Sequence, residues 1–404
     1  MFVGKGGVGR TTLAAATAVA LAEAGRRVLL LSLDQAHSLS DVLDRPVGRS
    51  DEVLVGPGLH AREIDTRALL EDRYRGLVAL LALGGSHDHG AQFADLAPEE
   101  LTGLPGVEEA LGLDEVVRLA EQARWDVIVV DCPPTADALR TLAIPGSLAG
   151  YVERVWPQHR RVAAATSTDV RLAFVVAMLD RMLDATAAVG ALLEDRDRTS
   201  VRVVTTAERV VVAETRRILS ALALAGLRVD AIVVNKTAPR SGSDEQAEEL
   251  DSWWAARRAA ERNALAALTS AADGATVLSA AHVANEPIGW DALGGVARAV
   301  YADVTDPSEV SEAPGTDRAP IRVALESGSG DVESVYAMRM YLPLADPGTL
   351  TLGRVEDDLL VGADGRRRRV RLASVLRRCI VRDADFDGSD LVVRFVPDPA
   401  VWPR

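Results

Sequence analysis

Residues 1–12 read MFVGKGGVGRTT: a β-prone apolar pair, a run of glycines, then two threonines leading into the alanine-rich segment 12–24. Gly4, Gly9 and Thr11 fit the phosphate-cradling pattern G-x-x-x-x-G-K-[ST], except that Arg10 stands at the lysine position. A second basic residue, Lys5, follows the first glycine. Glycines let successive backbone N–H groups curl around phosphate oxygens, because no Cβ blocks the approach. The helix that follows offers its unpaired N–H groups and positive dipole end to the anion. A threonine hydroxyl at that point can ligate Mg²⁺. The pattern marks Gly4, Lys5, Gly6, Gly7, Val8, Gly9, Arg10, Thr11 and Thr12 as a candidate phosphate site, against the plainer alternative of a glycine turn before an ordinary helix. The three-residue strand ahead of the loop is short, so it reads either as an edge fragment or as the remainder of a strand whose start lies upstream.

At 404 residues the chain has room for two or three domains and a sizeable core. Hydrophobic residues make up 48% and charged residues 26%, a globular balance. The net charge of −14 argues against nucleic acid as the main partner. Two cysteines, Cys132 and Cys379, far apart, make no disulfide framework and no C-x-x-C pair, which suits a reducing cytoplasm. No leader peptide is expected, since a functional loop already occupies the N-terminus. The longest apolar stretch, 172–193, carries Asp180, Arg181 and Asp184 and is not expected to span a membrane.

Beyond the loop the chain alternates strand and helix patterns, as a mostly parallel α/β sheet requires. Residues 27–32 (RVLLLS) read as a buried parallel strand leading into Asp34, followed by His37 and Asp41. A carboxylate at the C-terminal end of a central strand sits on the ligand edge of such a sheet. Asp34 there either orients an attacking water or caps a helix, and His37 and Asp41 either line the site or face solvent. Residues 59–65 predict a strand, 66–83 a helix, and 104–123 another; between them lies the loop GGSHDHG, 84–90, a poor metal site for want of a third ligand. Residues 125–130 predict a strand ending in Asp131-Cys132-Pro133-Pro134-Thr135-Ala136-Asp137, where Asp131 is placed to hold Mg²⁺ through water. Cys132 reads as a reactive thiol or, more simply, as a small buried residue.

Residues 139–193 predict helices broken at Pro145-Gly146 and at Pro157. Within 170–193, Leu172, Val175, Val176, Leu179, Met182 and Leu183 form a broad apolar face, suited to an apolar cargo helix or to the domain's own core. Strands are expected at 201–206, 229–235 and 275–279, and helices at 213–225, 245–268 and 290–303. Asn235, at a strand end, is a candidate to hydrogen-bond a base edge. Trp253-Trp254 marks either a contact surface or ordinary helix packing. Residues 304–320 are rich in Pro, Ser, Asp and Glu and read as a linker. From 321 the chain becomes strand-rich with Gly and Asp-Gly turns, a small all-β sandwich. The arginine run 366–369, continued by Arg371, suits an acidic partner or lipid phosphate, or simply a solvated hairpin strand.

Together GKGGVGRTT, SLDQAHSLSDVL (32–43), LHAREID, LPGVEEA (104–110), DCPPTADALR (131–140), VVTTAE (203–208), VVNK (233–236) and EPIG (286–289) resemble the arsenical-pump ATPase family, which includes the guided-entry ATPase for tail-anchored membrane proteins. The resemblance spans residues 1–303, with helical insertions at roughly 66–123 and 139–197, and implies a P-loop NTPase fold. Residues 321–404 resemble the small-heat-shock-like (α-crystallin-type) domain appended to bacterial members, carried by 336–352, 365–379 and 387–395. The family implies a dimer, with itself or with a paralogue, holding ATP and Mg²⁺. Lys5 would reach the partner's phosphates, Thr11 would ligate Mg²⁺, Thr12 would contact a phosphate, and Asp34 would orient the water. Asp131 would hold the Mg²⁺ shell, and Asn235, with His282 in the nearby loop, would line the adenine. Residues 135–140, with Pro134, Thr135 and Asp137, would act as a switch beside the one holding His37 and Asp41.

Two departures shape the functional reading. Arginine replaces the loop lysine and is not a conservative exchange in a tight cradle. Pro134-Thr135-Ala136-Asp137 replaces the usual Pro-Thr-Gly-His. They bear on hydrolysis rate and on switch coupling: ATP binding is expected, and fast hydrolysis is not. With only two cysteines, no arsenite-sensing thiol triad can form. Three roles follow: an ATPase that captures or delivers an apolar, membrane-protein-like client, the motor of a membrane anion or efflux system, or a slow nucleotide-binding subunit paired with an active homologue. The first is favoured, acting in the cytoplasm or at the membrane periphery.

Overall fold

The structure, a computed structural model, describes residues 1–83, 107–166, 170–239, 248–272, 274–304, 307–308, 310 and 319–402. The histidine loop 84–90, the expected helix start at 104 and most of the linker lie outside those residues. The elements run β1 (Phe2–Gly4), α1 (Arg10–Glu23), β2 (Val28–Ser32), α2 (Leu39–Leu43), β3 (Val53–Gly56), β4 (Leu59–Glu63), α3 (Thr66–Leu83), α4 (Val107–Glu121), β5 (Val127–Asp131), α5 (Thr135–Val155), α6 (Gln158–Ala165) and α7 (Val170–Glu194). They continue β6 (Val201–Thr206), α8 (Arg209–Ala225), β7 (Val229–Thr237), α9 (Glu248–Ala271), β8 (Thr276–Ala281) and α10 (Gly289–Val300). The C-terminal part holds β9 (Ile321–Ser327), β10 (Val335–Tyr341), β11 (Thr351–Val355), β12 (Asp358–Ala363), β13 (Arg366–Arg371), α11 (Ser374–Arg377), β14 (Cys379–Phe386) and β15 (Asp390–Pro397). One eight-stranded, mostly parallel sheet has the order β3-β4-β2-β5-β1-β6-β7-β8. β1 is therefore an interior strand and not an edge fragment.

The chain divides into two compact units, Met1–Val3, Arg10–Leu192 and Pro287–Arg298 in one, and Gly4–Gly9, Leu193–Glu286 and Ala299–Arg404 in the other. In the first, β2 is buried along its whole length and pairs in parallel with β4 and β5. Burial on both faces is why its sequence is continuous Val and Leu without alternation. The register Ser32↔Asp131 brings the C-terminal ends of β2 and β5 to the level of Phe2, the first residue of β1, and Leu33 N–H donates to the Asp131 carbonyl at 2.9 Å. α5 runs unbroken through Pro145-Gly146, against expectation. A helical proline forfeits one backbone bond, and a 21-residue helix keeps enough others to continue. The break at Pro157 holds, with that residue preceding α6. β3 escaped the sequence reading because it is short and only partly buried, pairing antiparallel with β4.

The apolar face of α7 splits. Val176 is buried, whereas Leu172, Val175, Met178 and Met182, at three- to four-residue spacing, are exposed. Neither of the simple alternatives, all core or all surface, describes it.

In the second unit β6, β7 and β8 are parallel neighbours, with α8 as the crossover between the first two. Strand β6 carries a buried arginine. Arg202 donates to Asp230 through Nη2 at 2.8 Å and Nε at 3.3 Å, to Tyr301 Oη at 2.8 Å and to the Pro307 carbonyl at 3.0 Å. The C-terminal strands form a four-stranded sheet β14-β15-β10-β9 and a three-stranded sheet β11-β12-β13. Their inner faces share one core built on Met338, Met340, Leu359, Val361, Val393 and Phe395. Leu224 of α8 joins this core. β14 went unseen in the sequence because a bulge between Val381 and Asp383 breaks its alternation.

The arginine run divides between solvent, where Arg367 and Arg371 are exposed, and partners within its own unit. Arg368 donates to the Leu224 carbonyl and to Glu194, each at 3.0 Å, and Arg369 pairs with Asp358. Arg371 lies 3.8 Å from Asp357, and only Arg367 of the four leading arginines is fully exposed. Charge pattern alone does not say which acids of the same domain stand opposite.

Candidate nucleotide-binding site

Gly7 and Gly9 adopt φ of 81° and 85°, values that let the chain double back between β1 and α1. Two residues at the end of β7 brace that arc. Asn235 Nδ2 donates to the Val8 carbonyl at 2.8 Å, and Lys236 Nζ donates to the Gly7 carbonyl at 2.9 Å. Asn235 Oδ1 accepts from the Lys236 backbone N–H at 2.8 Å. Each polar atom of the Asn235 amide thus engages a backbone group, and the side chain braces the loop. Lys236 had no assigned role in the sequence, and its place beside Asn235 was the only signal. Lys5 pairs with Glu214 of α8 at 3.0 Å, both partly exposed. Nothing local marks Glu214, because the contact exists only once α8 packs beside the loop.

α1 begins at Arg10, one residue ahead of Thr11, so Arg10 occupies the first helical turn. Its side chain is only 6% exposed. Nε donates to Asp131 Oδ1 at 2.7 Å, and Nη2 donates to Asp34. Thr11 Oγ1 donates to Asp131 Oδ2 at 2.7 Å. Asp131 is fully buried at the end of β5, and all four groups belong to one compact unit. Burial alone would lower the Arg10 pKa, but Asp131 and then Asp34 outweigh it and hold the guanidinium above its ordinary value. The donor chemistry suits magnesium, since a hydroxyl and two carboxylates supply only oxygen. A guanidinium already stands on both carboxylates.

Asp34 does not cap a helix. Its Oδ1 accepts from Ala36 N–H at 3.0 Å, a local turn, and α2 starts later, at Leu39. Glu63 Oε1 caps α2 instead, accepting from Leu39 N–H at 3.2 Å and Ser40 N–H at 3.3 Å. His37, at φ 51°, places Nδ1 3.7 Å from the same carboxylate, and Asp41 is exposed on α2. Pro134 precedes α5, whose first residue, Thr135, buries a hydroxyl without a hydrogen bond. Asp137 is solvent-facing and paired with Arg140 at 3.0 Å. Thr12 is half-buried on α1, and His282 is exposed, its backbone N–H bonded to the Thr237 carbonyl at 2.8 Å. Among the described residues no group of His, Cys, Asp or Glu forms a further metal cluster.

Cys132 follows Asp131 and is buried, and burial pushes its thiol up to about 12. Cys379 is buried in the sandwich core. A thiol attacks as thiolate. Titration of the native chain with a thiol-reactive disulfide is therefore expected to release no fast product, and both thiols to appear only in denaturant. A rapid native equivalent lost in Cys132→Ser would contradict this.

A parallel sheet whose first strand enters a glycine loop and then a helix defines an ATPase-type P-loop protein. The chain matches the family described as anion-transporting ATPase over residues 1–302, and it belongs to that family. Residues 333–395 match the HSP20-like domain found in ArsA. Relatives include Protein Rv2184c of Mycobacterium tuberculosis, 46% identical across 100% of this chain and 97% of its own length. A putative arsenical pump-driving ATPase of Prosthecochloris vibrioformis is 28% identical across 98% and 95%. The ATPase GET3 of Rhodotorula glutinis is 30% identical across 58% of this chain and 68% of its own length.

Proposed function

We propose that this chain binds ATP at Gly4–Gly9 with Thr11 and Thr12, and hydrolyses it slowly as one half of a dimer with itself or a paralogue. The observation that carries this reading is the preformed loop: two left-handed glycines braced by Asn235 and Lys236, entering a helix at Arg10. Thr11 and Asp131 are the residues that would hold magnesium, Asp131 through water. When bound, that ion neutralises charge on the phosphates. Asp34 is the group that would orient water, once released from its bond to Arg10. Lys5 rests on Glu214 and would exchange that partner for phosphate across a dimer. Direct binding of ATP measured by calorimetry, with phosphate release from wild type, Arg10→Lys and Asp34→Asn, tests the reading. Binding with slow release, faster in Arg10→Lys and lost in Asp34→Asn, is expected. No ATP binding in any of the three removes it.

The exposed stripe Leu172, Val175, Met178 and Met182 favours coupling of nucleotide state to an apolar, membrane-protein-like client. The buried cysteines disfavour metalloid handling. Among the described residues no helix is long and apolar enough to cross a membrane, so a membrane client or partner would be met at the periphery. Co-purification of apolar segments that changes with nucleotide is the matching readout.

A further inference from the structure

We propose that Arg10 is a built-in cation of the site: its guanidinium fills the place between Asp34 and Asp131 that a divalent ion would take, so nucleotide enters this chain without magnesium. The second clause rests on the nucleotide reading above; the first does not.

Two carboxylates that converge near a helix start need a counter-charge when one of them is fully buried. In this chain a side chain supplies it. Nε of Arg10 faces Asp131, and Nη2 faces Asp34. A forked guanidinium reaches Asp131 at the end of β5 and Asp34 in the loop after β2 with separate nitrogens, whereas a lysine ammonium is a single point charge. Arginine also stays protonated at every ordinary pH, so this counter-charge does not titrate away. The remaining oxygen of Asp131 accepts from Thr11 at 2.7 Å, which completes the carboxylate's hydrogen bonding.

The charge balance then decides the metal question. In the nucleotide-free chain, Asp34 and Asp131 with Arg10 sum to a single negative charge; a divalent ion added there beside the guanidinium would make the group net positive in a buried setting. Like charges at that range repel strongly when water is excluded. Metal and guanidinium are therefore alternatives at this pair. A divalent ion gains access to Asp131 only after Arg10 leaves it, and hydrolysis chemistry that needs the ion waits on the same movement.

The test uses the full-length chain in two arms. In the first, Mn²⁺ is titrated into nucleotide-free protein and free ion is followed by its paramagnetic resonance signal. Wild type is expected to leave the Asp34–Asp131 pair free of Mn²⁺ up to about 1 mM. Arg10→Ala is expected to gain a site that the added change Asp131→Asn removes. A wild-type site that Asp131→Asn abolishes overturns the proposal, and this outcome needs no Arg10 variant to fold. In the second arm, ATP affinity is compared in Mg²⁺ and in EDTA. Wild type is expected to change by less than about twofold, whereas Arg10→Lys, which keeps the charge but not the fork, loses about tenfold or more in EDTA. A tenfold loss in wild type overturns the proposal. If neither protein binds ATP in either buffer, the nucleotide reading fails, and the Mn²⁺ arm still decides the role of Arg10.

Discussion

Asp230→Ala is expected to destabilise the protein by about 3–5 kcal/mol, because it strands Arg202 as a buried charge. Arg202 and Asp230 are 7% and 3% exposed, and the pair ties β6 to β7. The same guanidinium holds Tyr301 and the Pro307 carbonyl, so it also fastens the chain that follows α10. Taking a charge from water into this setting costs several kcal/mol, and only the paired carboxylate with its hydrogen bonds offsets it. The paired change Arg202→Met with Asp230→Leu removes both charges together and is expected to recover most of the loss. Urea unfolding followed by circular dichroism measures all three. A cost below about 1 kcal/mol for Asp230→Ala, the range of an exposed pair, would show that the charge is not buried.

The pair also sets an acid limit. Burial pushes the Asp230 carboxyl up, but the Arg202 charge and its hydrogen bonds prevail, and the net direction is down. A carboxylate lowered in the folded state contributes stability that is fully present above its unfolded pKa, near 3.9. That contribution is lost as pH falls through the lower folded value. Wild type should therefore lose this stability only in strong acid, below about pH 4, and Asp230→Asn should show a weaker dependence there.

Gly9→Ala is the second large effect, expected to weaken ATP binding by tenfold or more, about 1.4 kcal/mol. At φ 85° an alanine is strained by about 1–3 kcal/mol. Its Cβ would also collide with Asn235 Nδ2, the atom that donates to the Val8 carbonyl. Displacing that amide loses a hydrogen bond of about 1 kcal/mol and frees the loop to leave its phosphate-ready shape. Thermal denaturation separates the two contributions: strain lowers the melting temperature of the free chain, and loss of the preformed loop removes its rise on adding ATP. An unchanged ATP affinity would mean that the loop is not the nucleotide site. Gly25→Ala, also at positive φ and away from the loop, is the control for strain alone.

Much of this site was legible in one dimension. The glycine spacing, the strand ends at Asp34 and Asp131, and the helix starting beside Thr11 follow from short-range rules about backbone freedom and strand periodicity. Those rules act within a dozen residues. They fail where neighbours compensate: Pro145 does not end α5, and the bulge in β14 hides a strand. They also say nothing of the Asn235 amide's bond to the Val8 carbonyl, which joins residues 227 positions apart.

The alternation of strands and helices, the loop between β1 and α1 and the appended sandwich were determined by the sequence alone, because each depends on local pattern and turn chemistry. The destination of each charge was decided only by the tertiary structure. Arg10 meets Asp131 across 121 residues, Lys5 meets Glu214 on α8, and Arg368 and Arg369 of β13 meet acids and a carbonyl of their own unit. An ion pair forms where burial makes an unmatched charge costly, and burial is a property of the packed chain and not of any stretch of it. The opening motif announced a phosphate site with an arginine in the lysine's place; packing turned that arginine toward two carboxylates and made it part of the site's own charge balance.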